Sequence, residues 1–363
     1  MNQAKVLNFF GLLLIMFGMS FAIPLFVAIF YGESLIGVFG LGMSVLVLMG
    51  FLSWFFTKDN KQELSLSDGF VITVLFWIVL SVSGSIPFIL FGFGVVDSFF
   101  ESMSGITTTG ATVIAGLDDL PKSLLIYRQL LQWLGGMGLI VLAIAVMPLL
   151  GIGGGQLFKT QTPGPMSEQR LTPRITSTAR ALWSIYFVLT VLCIFAYRLA
   201  GMSYFDAVSH AFSTVSIGGF STHDLSIGFF DSLSIEIVCI TFMLLSAMSF
   251  AVHYSAIYRK QVLKYFYDPE LRFFVSLLIV ILGLVCLSLF ANDIDNPIRS
   301  GLFQTVSILT TTGFLTDEYS SWPAYISFML LVGAFIGACS GSVGGGIKSW
   351  RILIMLKLSL IHI

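Results

Sequence analysis

Long apolar stretches alternate with short polar ones along the whole chain, at about 6–30, 34–57, 69–93, 125–150, 179–201, 233–258, 271–291, 323–339 and 347–361. A run of about 20 apolar residues crosses a bilayer as a helix. The pattern therefore predicts an all-α polytopic membrane protein. Three further segments, 97–106, 204–215 and 298–309, are semi-apolar and too short to span. Each leads into a polar run that carries a glycine: SGITTTGAT at 104–112, STVSIGGFS at 213–221 and SILTTTGFL at 307–315. In every copy a serine lies six residues before the glycine: Ser104 and Gly110, Ser213 and Gly219, Ser307 and Gly313.

The glycines are 109 and 94 residues apart, so the repeated unit is larger than a solenoid turn. Each copy reads as helix, short re-entrant helix, extended loop, helix. Non-helical backbone at membrane depth is tolerated only where protein buries it or water lines it. The expected organisation is an N-terminal transmembrane helix pair (1–66), a first pore repeat (67–154), a cytoplasmic linker (155–178), a second repeat (179–265) and a third (266–363).

Composition agrees with lipid as the solvent. The chain is 56% hydrophobic and 10% charged, with a mean hydropathy of +0.95, against about 25% charged residues in soluble domains. If the N-terminus is cytoplasmic, the outer segments hold only Lys122, Arg128, Arg198 and Arg299 of the 18 basic residues. That bias satisfies the positive-inside rule. The outer side carries most of the acids, and an acidic vestibule concentrates cations. Residues 6–30 are too long for a signal sequence and predict a retained first helix.

The polar runs carry the candidate chemistry. A desolvated cation needs several oxygens at close range, and an extended backbone turned by glycine can present successive carbonyls to it. The alternative for any single run is a Ser/Thr/Gly turn at a helix end; three copies at matched positions favour the cation reading. The stretch GACSGSVGGG at 337–346 misses a phosphate-binding loop by one residue, because Ile347 stands where the lysine must be. It reads as a helix break or as an unwound intramembrane loop. Cys193, Cys239, Cys286 and Cys339 are scattered and read as packing residues, and His210, His223 and His253 as polar groups near helix ends rather than metal ligands. Gly201-Met202-Ser203-Tyr204 fits a loose intramembrane-protease pattern, but Ser203 opens a re-entrant segment. Arg128 either anchors the outer interface or pairs with an acid such as Glu101.

The motifs SMSGITTTGATV, IGGFSTHD, TTTGF, LLQWLGGMGLIVLA and IGACSGSVGGGIKSWRIL resemble the membrane subunits of bacterial Trk potassium-uptake systems, in the Trk/Ktr/HKT superfamily. The likeness covers essentially the whole chain. It implies a pseudo-fourfold, potassium-channel-like fold and potassium uptake across the bacterial inner membrane, with the N-terminus in the cytoplasm. The matching filter positions are Thr107, Thr108, Thr109 and Gly110; Ser216, Ile217, Gly218 and Gly219; and Thr310, Thr311, Thr312 and Gly313. By resemblance the carbonyls of Thr108, Thr109, Ile217, Gly218, Thr311 and Thr312 would contact potassium, with moderate discrimination against sodium. The loop 337–346, with Gly341, Ser342, Gly344, Gly345, Gly346 and Lys348, would be the gate.

The resemblance further implies a homodimer in lipid on a cytosolic nucleotide-binding regulatory subunit of the TrkA type. No enzyme activity, cofactor or nucleic-acid partner is expected; potassium is the transported ion. At the observed spacing a fourth glycine would fall about one hundred residues beyond Gly313, past Ile363. The expectation is thus a C-terminally truncated member, whose three loops leave a ring of four incomplete, so that a non-conducting fragment is an alternative. The other is a secondary cation symporter with discontinuous helices. It calls for inverted repeats and a midplane ionisable residue, whereas these repeats run in one direction.

Overall fold

A computed structural model describes residues 3–58, 66–138, 175–319 and 322–362. Every regular element among them is helical. Among the described residues, five helical segments are long and apolar enough to cross a membrane, and a sixth if a sharply bent pair counts as one span. The contacts fall into two units, divided at Ser184 within the described residues.

The first unit holds α1 (Gln3–Ser20), α2 (Ala22–Tyr31), α3 (Ile36–Thr57), α4 (Leu66–Phe91), α5 (Val95–Ile106) and α6 (Lys122–Trp133). The apolar stretch 6–30 thus forms two helices that meet at Phe21. Between helices that share lipid as solvent, association rests on close packing of small residues. At Gly11 and Gly50 the α1 and α3 backbones touch: a Cβ on Gly50 would lie 2.6 Å from Gly11 O. Asn8 Nδ2 donates to Thr57 Oγ1 across the same seam at 3.1 Å. Tyr127, wholly buried, packs edge-on against Phe21 and Phe39, lies tilted against Phe88, and donates to Gly84 O at 2.8 Å. The start of α6 is held by Glu33, whose carboxylate accepts from Lys122 N at 2.7 Å and Ser123 N at 3.1 Å. An acid at a helix N-terminus suits the helix dipole.

The second unit takes in α7 (Ile175–Leu199) from Ser184 onward, then α8 (Tyr204–Val215), α9 (Leu233–Ala247), α10 (Phe250–Tyr258), α11 (Lys264–Tyr267), α12 (Pro269–Ala291), α13 (Pro297–Leu309), α14 (Ala324–Ile336) and α15 (Ser349–His362). Ser203 caps α8 by accepting from Asp206 N, and Asp268 caps α12 by accepting from Leu271 N. The stretch 233–258, read from its hydropathy as one span, is instead two helices bent by 93°. No proline or glycine lies at the break. Met248 and Ser249 are extended, and the free ends are taken up by a distant segment: Cys339 N donates to Ala247 O at 3.1 Å, and Phe250 N to Gly341 O at 3.0 Å.

The semi-apolar segments 97–106, 204–215 and 298–309 coincide with α5, α8 and α13. Most of the linker 155–178 and the second half of the stretch 125–150 lie outside the described residues.

Candidate cation loops and the glycine-rich segment

Each short helix α5, α8 and α13 ends in the same way. The carbonyl of the repeated serine accepts from the residue five further on: Thr109 N to Ser104 O at 2.9 Å, Gly218 N to Ser213 O at 2.8 Å, Thr312 N to Ser307 O at 2.8 Å. A second bond closes inside it, Thr108 N to Gly105 O, Ile217 N to Thr214 O and Thr311 N to Ile308 O. This is a Schellman ending, which requires a left-handed residue where glycine is usual. Here the residues are Thr108 (φ 54°), Ile217 (φ 54°) and Thr311 (φ 67°). All three are β-branched, the least tolerant class at positive φ. Such backbone costs about 1–3 kcal/mol per residue and persists only where the surroundings over-determine it.

From that point the sign of φ alternates. Thr107, Ser216 and Thr310 are right-handed at −82°, −80° and −72°. Thr108, Ile217 and Thr311 are left-handed, the third residue returns to negative φ, and Gly110, Gly219 and Gly313 are left-handed again at 76°, 81° and 86°. In a strand of uniform handedness successive carbonyls point to opposite sides. Alternating handedness turns successive carbonyls toward one side, as a desolvated cation requires. The side chains pack behind: Thr107 Oγ1 bonds Thr109 Oγ1 at 2.8 Å, and Thr310 Oγ1 bonds Thr312 Oγ1 at 2.7 Å.

Within the second unit the loops Ser216–Gly219 and Thr310–Gly313 are in direct contact. A Cβ on Gly219 would fall 2.0 Å from Thr312 O. Beyond them Gly228 N donates to Leu315 O at 3.0 Å, and Leu315 N to Ser226 Oγ at 3.1 Å. The loop Thr107–Gly110 belongs to the first unit and has the same backbone course.

The glycine-rich segment 337–348 is non-helical and packs on the third loop. Gly345 N donates to Thr311 Oγ1 at 2.7 Å, and a Cβ on Gly344 would stand 2.9 Å from Thr310 O. The other residues singled out there make bonds and contacts elsewhere. Gly341 O serves the α9–α10 break, Ser342 Oγ bonds Cys339 O, Gly346 packs on Gly337, and Lys348 Nζ donates to Gly344 O. Lys348 itself is left-handed at φ 81°. One residue that the sequence did not flag holds this segment at both ends. Glu270, buried at the start of α12, accepts from Ser340 N and from Trp350 N. An acid at the head of an apolar stretch was the available signal.

The structure also places the other polar side chains that the sequence singled out. Arg128 is buried within α6, its Nε 2.7 Å from Glu101 Oε1, so it pairs rather than anchoring at an interface. His210 lies mid-way along α8 rather than near a helix end, while His253 lies near the start of α10, both buried; helix packing brings each a polar partner that the chain order hides. Among the described residues no three His, Cys, Asp or Glu side chains converge to hold a metal ion.

Residues 37–363 match the family of cation transport proteins designated TrkH. The chain belongs to the TrkH family. It is 47% identical over 363 residues to the Trk system potassium uptake protein TrkH of Halomonas elongata, covering 98% of this chain and 75% of that one. It is 43% identical over 364 residues to the protein of the same name from Escherichia coli K12, with the same coverage. The crystal structure of the potassium transporter TrkH from Vibrio parahaemolyticus superposes with a TM-score of 0.86 at 45% identity, over 98% of this chain and 75% of that one. Membership of TrkH makes this a multi-pass membrane protein of a transporter family, not an enzyme.

Proposed function

We propose that this chain is a potassium-uptake subunit whose carbonyls at Thr107–Gly110, Ser216–Gly219 and Thr310–Gly313 replace the hydration shell of the passing ion. The observation that carries the reading is the alternation of backbone handedness, with the same signs at the same four positions in all three loops. The names of the relatives supply the ion. Entry from an acidic outer side would be driven by the membrane potential, about 2.3 kcal/mol per charge per 100 mV. Gly344 and Gly345 lie against Thr310 and Thr311, which supports the segment 337–348 as the gate. In this reading the three repeats bear one loop each, the N-terminus is cytoplasmic, the membrane is the bacterial inner membrane, and a homodimer binds a TrkA-type cytosolic regulator through the basic inner loops.

Expression in a bacterial strain without potassium uptake of its own tests the proposal. The expected result is growth at low potassium. Failure both of this chain and of a version joined to the remaining quarter of a relative would refute it.

A further inference from the structure

The side chain three residues before each repeated serine is polar and wholly buried: Glu101 in α5, His210 in α8 and Gln304 in α13. Each is nine residues before its loop glycine. Burying a polar side chain is costly unless it is bonded, and each is bonded to the segment just beyond that glycine, two to four residues on. The Glu101 carboxylate accepts from Thr112 Oγ1 at 3.0 and 3.1 Å and from Val113 N at 3.3 Å. His210 Nε2 meets Ser221 Oγ at 2.9 Å. Gln304 Nε2 donates to Asp317 O at 3.2 Å.

The chemistry differs while the placement does not. In the first repeat the charge is matched by Arg128, which donates to Glu101 Oε1 and, through Nη2, to Thr112 Oγ1 at 3.1 Å. In the second, His210 Nδ1 faces Asp206 O at 2.9 Å. That carbonyl requires the proton on Nδ1, so Nε2 accepts from the Ser221 hydroxyl. In the third, a neutral amide reaches a backbone carbonyl. A carboxylate, an imidazole and an amide share only hydrogen-bonding reach from one helical position.

We infer that Glu101, His210 and Gln304 are positioning residues that brace the outer exit of each cation loop, and so hold its carbonyls at the spacing that favours one ion. The inference rests on the filter reading above. Alternating handedness leaves no regular ladder bonds along the loop, so its course is set by its ends. The inner end is set by the Schellman bonds, and the outer end by these braces.

Hydrogen exchange followed by mass spectrometry, on the full chain in lipid nanodiscs, tests it. The comparison is between apolar replacements, His210→Leu and Gln304→Met, and hydrogen-bonding ones, His210→Gln and Gln304→His. The apolar variants should exchange about tenfold faster over 219–226 and 313–319 respectively, with α8 and α13 unchanged. The hydrogen-bonding variants should stay within about threefold of the parent. In the parent, potassium should slow exchange in the loops more than sodium does. Gln304→Met should lose that potassium-specific protection and Gln304→His keep it.

Equal behaviour of the apolar and hydrogen-bonding variants overturns the brace. So does global unfolding of Gln304→Met, which would assign the glutamine to general packing. If His210→Leu does not fold, the Gln304 pair decides. Absence of potassium-specific protection in the parent counts against the filter reading instead, and leaves the exchange comparison to judge the brace by itself.

Discussion

Replacing Gly219 with alanine should do more damage than its one added carbon suggests. The new Cβ would sit 2.0 Å from Thr312 O and 3.1 Å from Thr312 C. Restoring a tolerable 3.0 Å requires a relative shift of at least 1.0 Å. The oxygen has little freedom to give. Thr312 is wholly buried, its N–H is tied to Ser307 O at 2.8 Å, and its hydroxyl to Thr310 at 2.7 Å. Gly219 is also left-handed at φ 81°, where a side chain costs about 1–2 kcal/mol. Overpacking adds about 1–3 kcal/mol, for a destabilisation of about 2–5 kcal/mol. If Thr312 O is an ion ligand, a 1.0 Å shift exceeds the difference in radius between sodium and potassium. The variant should melt lower in detergent, and sodium should compete better against rubidium uptake. Gly283→Ala is the control. Gly283 lies inside α12 with nothing within 4 Å, so alanine there should gain up to about 1 kcal/mol of helix propensity. Equal melting of the two variants, with sodium competition unchanged, would refute the reasoning.

Two further outcomes follow from single contacts. A Cβ on Gly135 would lie 1.8 Å from Ile106 O, at the end of α5 beside Thr107, where α6 runs on as a π-helical turn at Leu134–Gly138; Gly135→Ala should therefore abolish folded yield in size-exclusion chromatography, and a monodisperse, normally melting variant would show that the two helices are not in contact. Burial alone would raise the Asp206 carboxyl, but bonds from His223, Ser203 and Thr222 outweigh it and hold the group at about 2. A depressed carboxylate contributes stability that is complete above its ordinary value of 3.8 and is lost as pH falls toward about 2, here about 2 kcal/mol. Melts taken between pH 5 and pH 2 should decline less steeply in Asp206→Asn, and parallel curves would remove Asp206 from the acid response.

What the sequence reveals of this molecule is local, and what it hides is long-range. The positions of α5, α8 and α13 were legible because a twelve- or thirteen-residue helix ends where polar residues and a glycine interrupt the hydropathy. The left-handed backbone at Thr108, Ile217 and Thr311 was not, since β-branched residues argue against positive φ. Only the packing around them reverses that preference. Ile217 shows how: it clusters with Ala247, Leu271, Phe274, Ala338 and Cys339, residues from three other segments of the chain. The pairing of Arg128 with Glu101 was visible as a possibility because opposite charges in an apolar chain have few other places to go. The shared role of Glu101, His210 and Gln304 was concealed by their different chemistries, and appears only when the three repeats are aligned on their serines.

The bend between α9 and α10 is the clearest case of a local irregularity with a distant cause, and it bears on how the glycine-rich segment can move. A helix interrupted inside an apolar environment leaves carbonyl and amide groups that must find partners. Here Ala247 O and Phe250 N find them in Cys339 N and Gly341 O. The same segment gives Gly345 N to Thr311 Oγ1 and takes the Glu270 carboxylate at Ser340 and Trp350. Withdrawing it as a unit would break these bonds together, at about 1–3 kcal/mol for each buried group left unsatisfied. The segment therefore cannot leave the third loop unless Ala247 O and Phe250 N find other partners. Either the break closes toward a continuous helix, satisfying Ala247 O and Phe250 N internally, or water enters to replace the lost partners. If the glycine-rich segment is the proposed gate, both routes tie its opening to the 233–258 pair as well as to the glycines, because the two share the bonds at Ala247 O and Phe250 N.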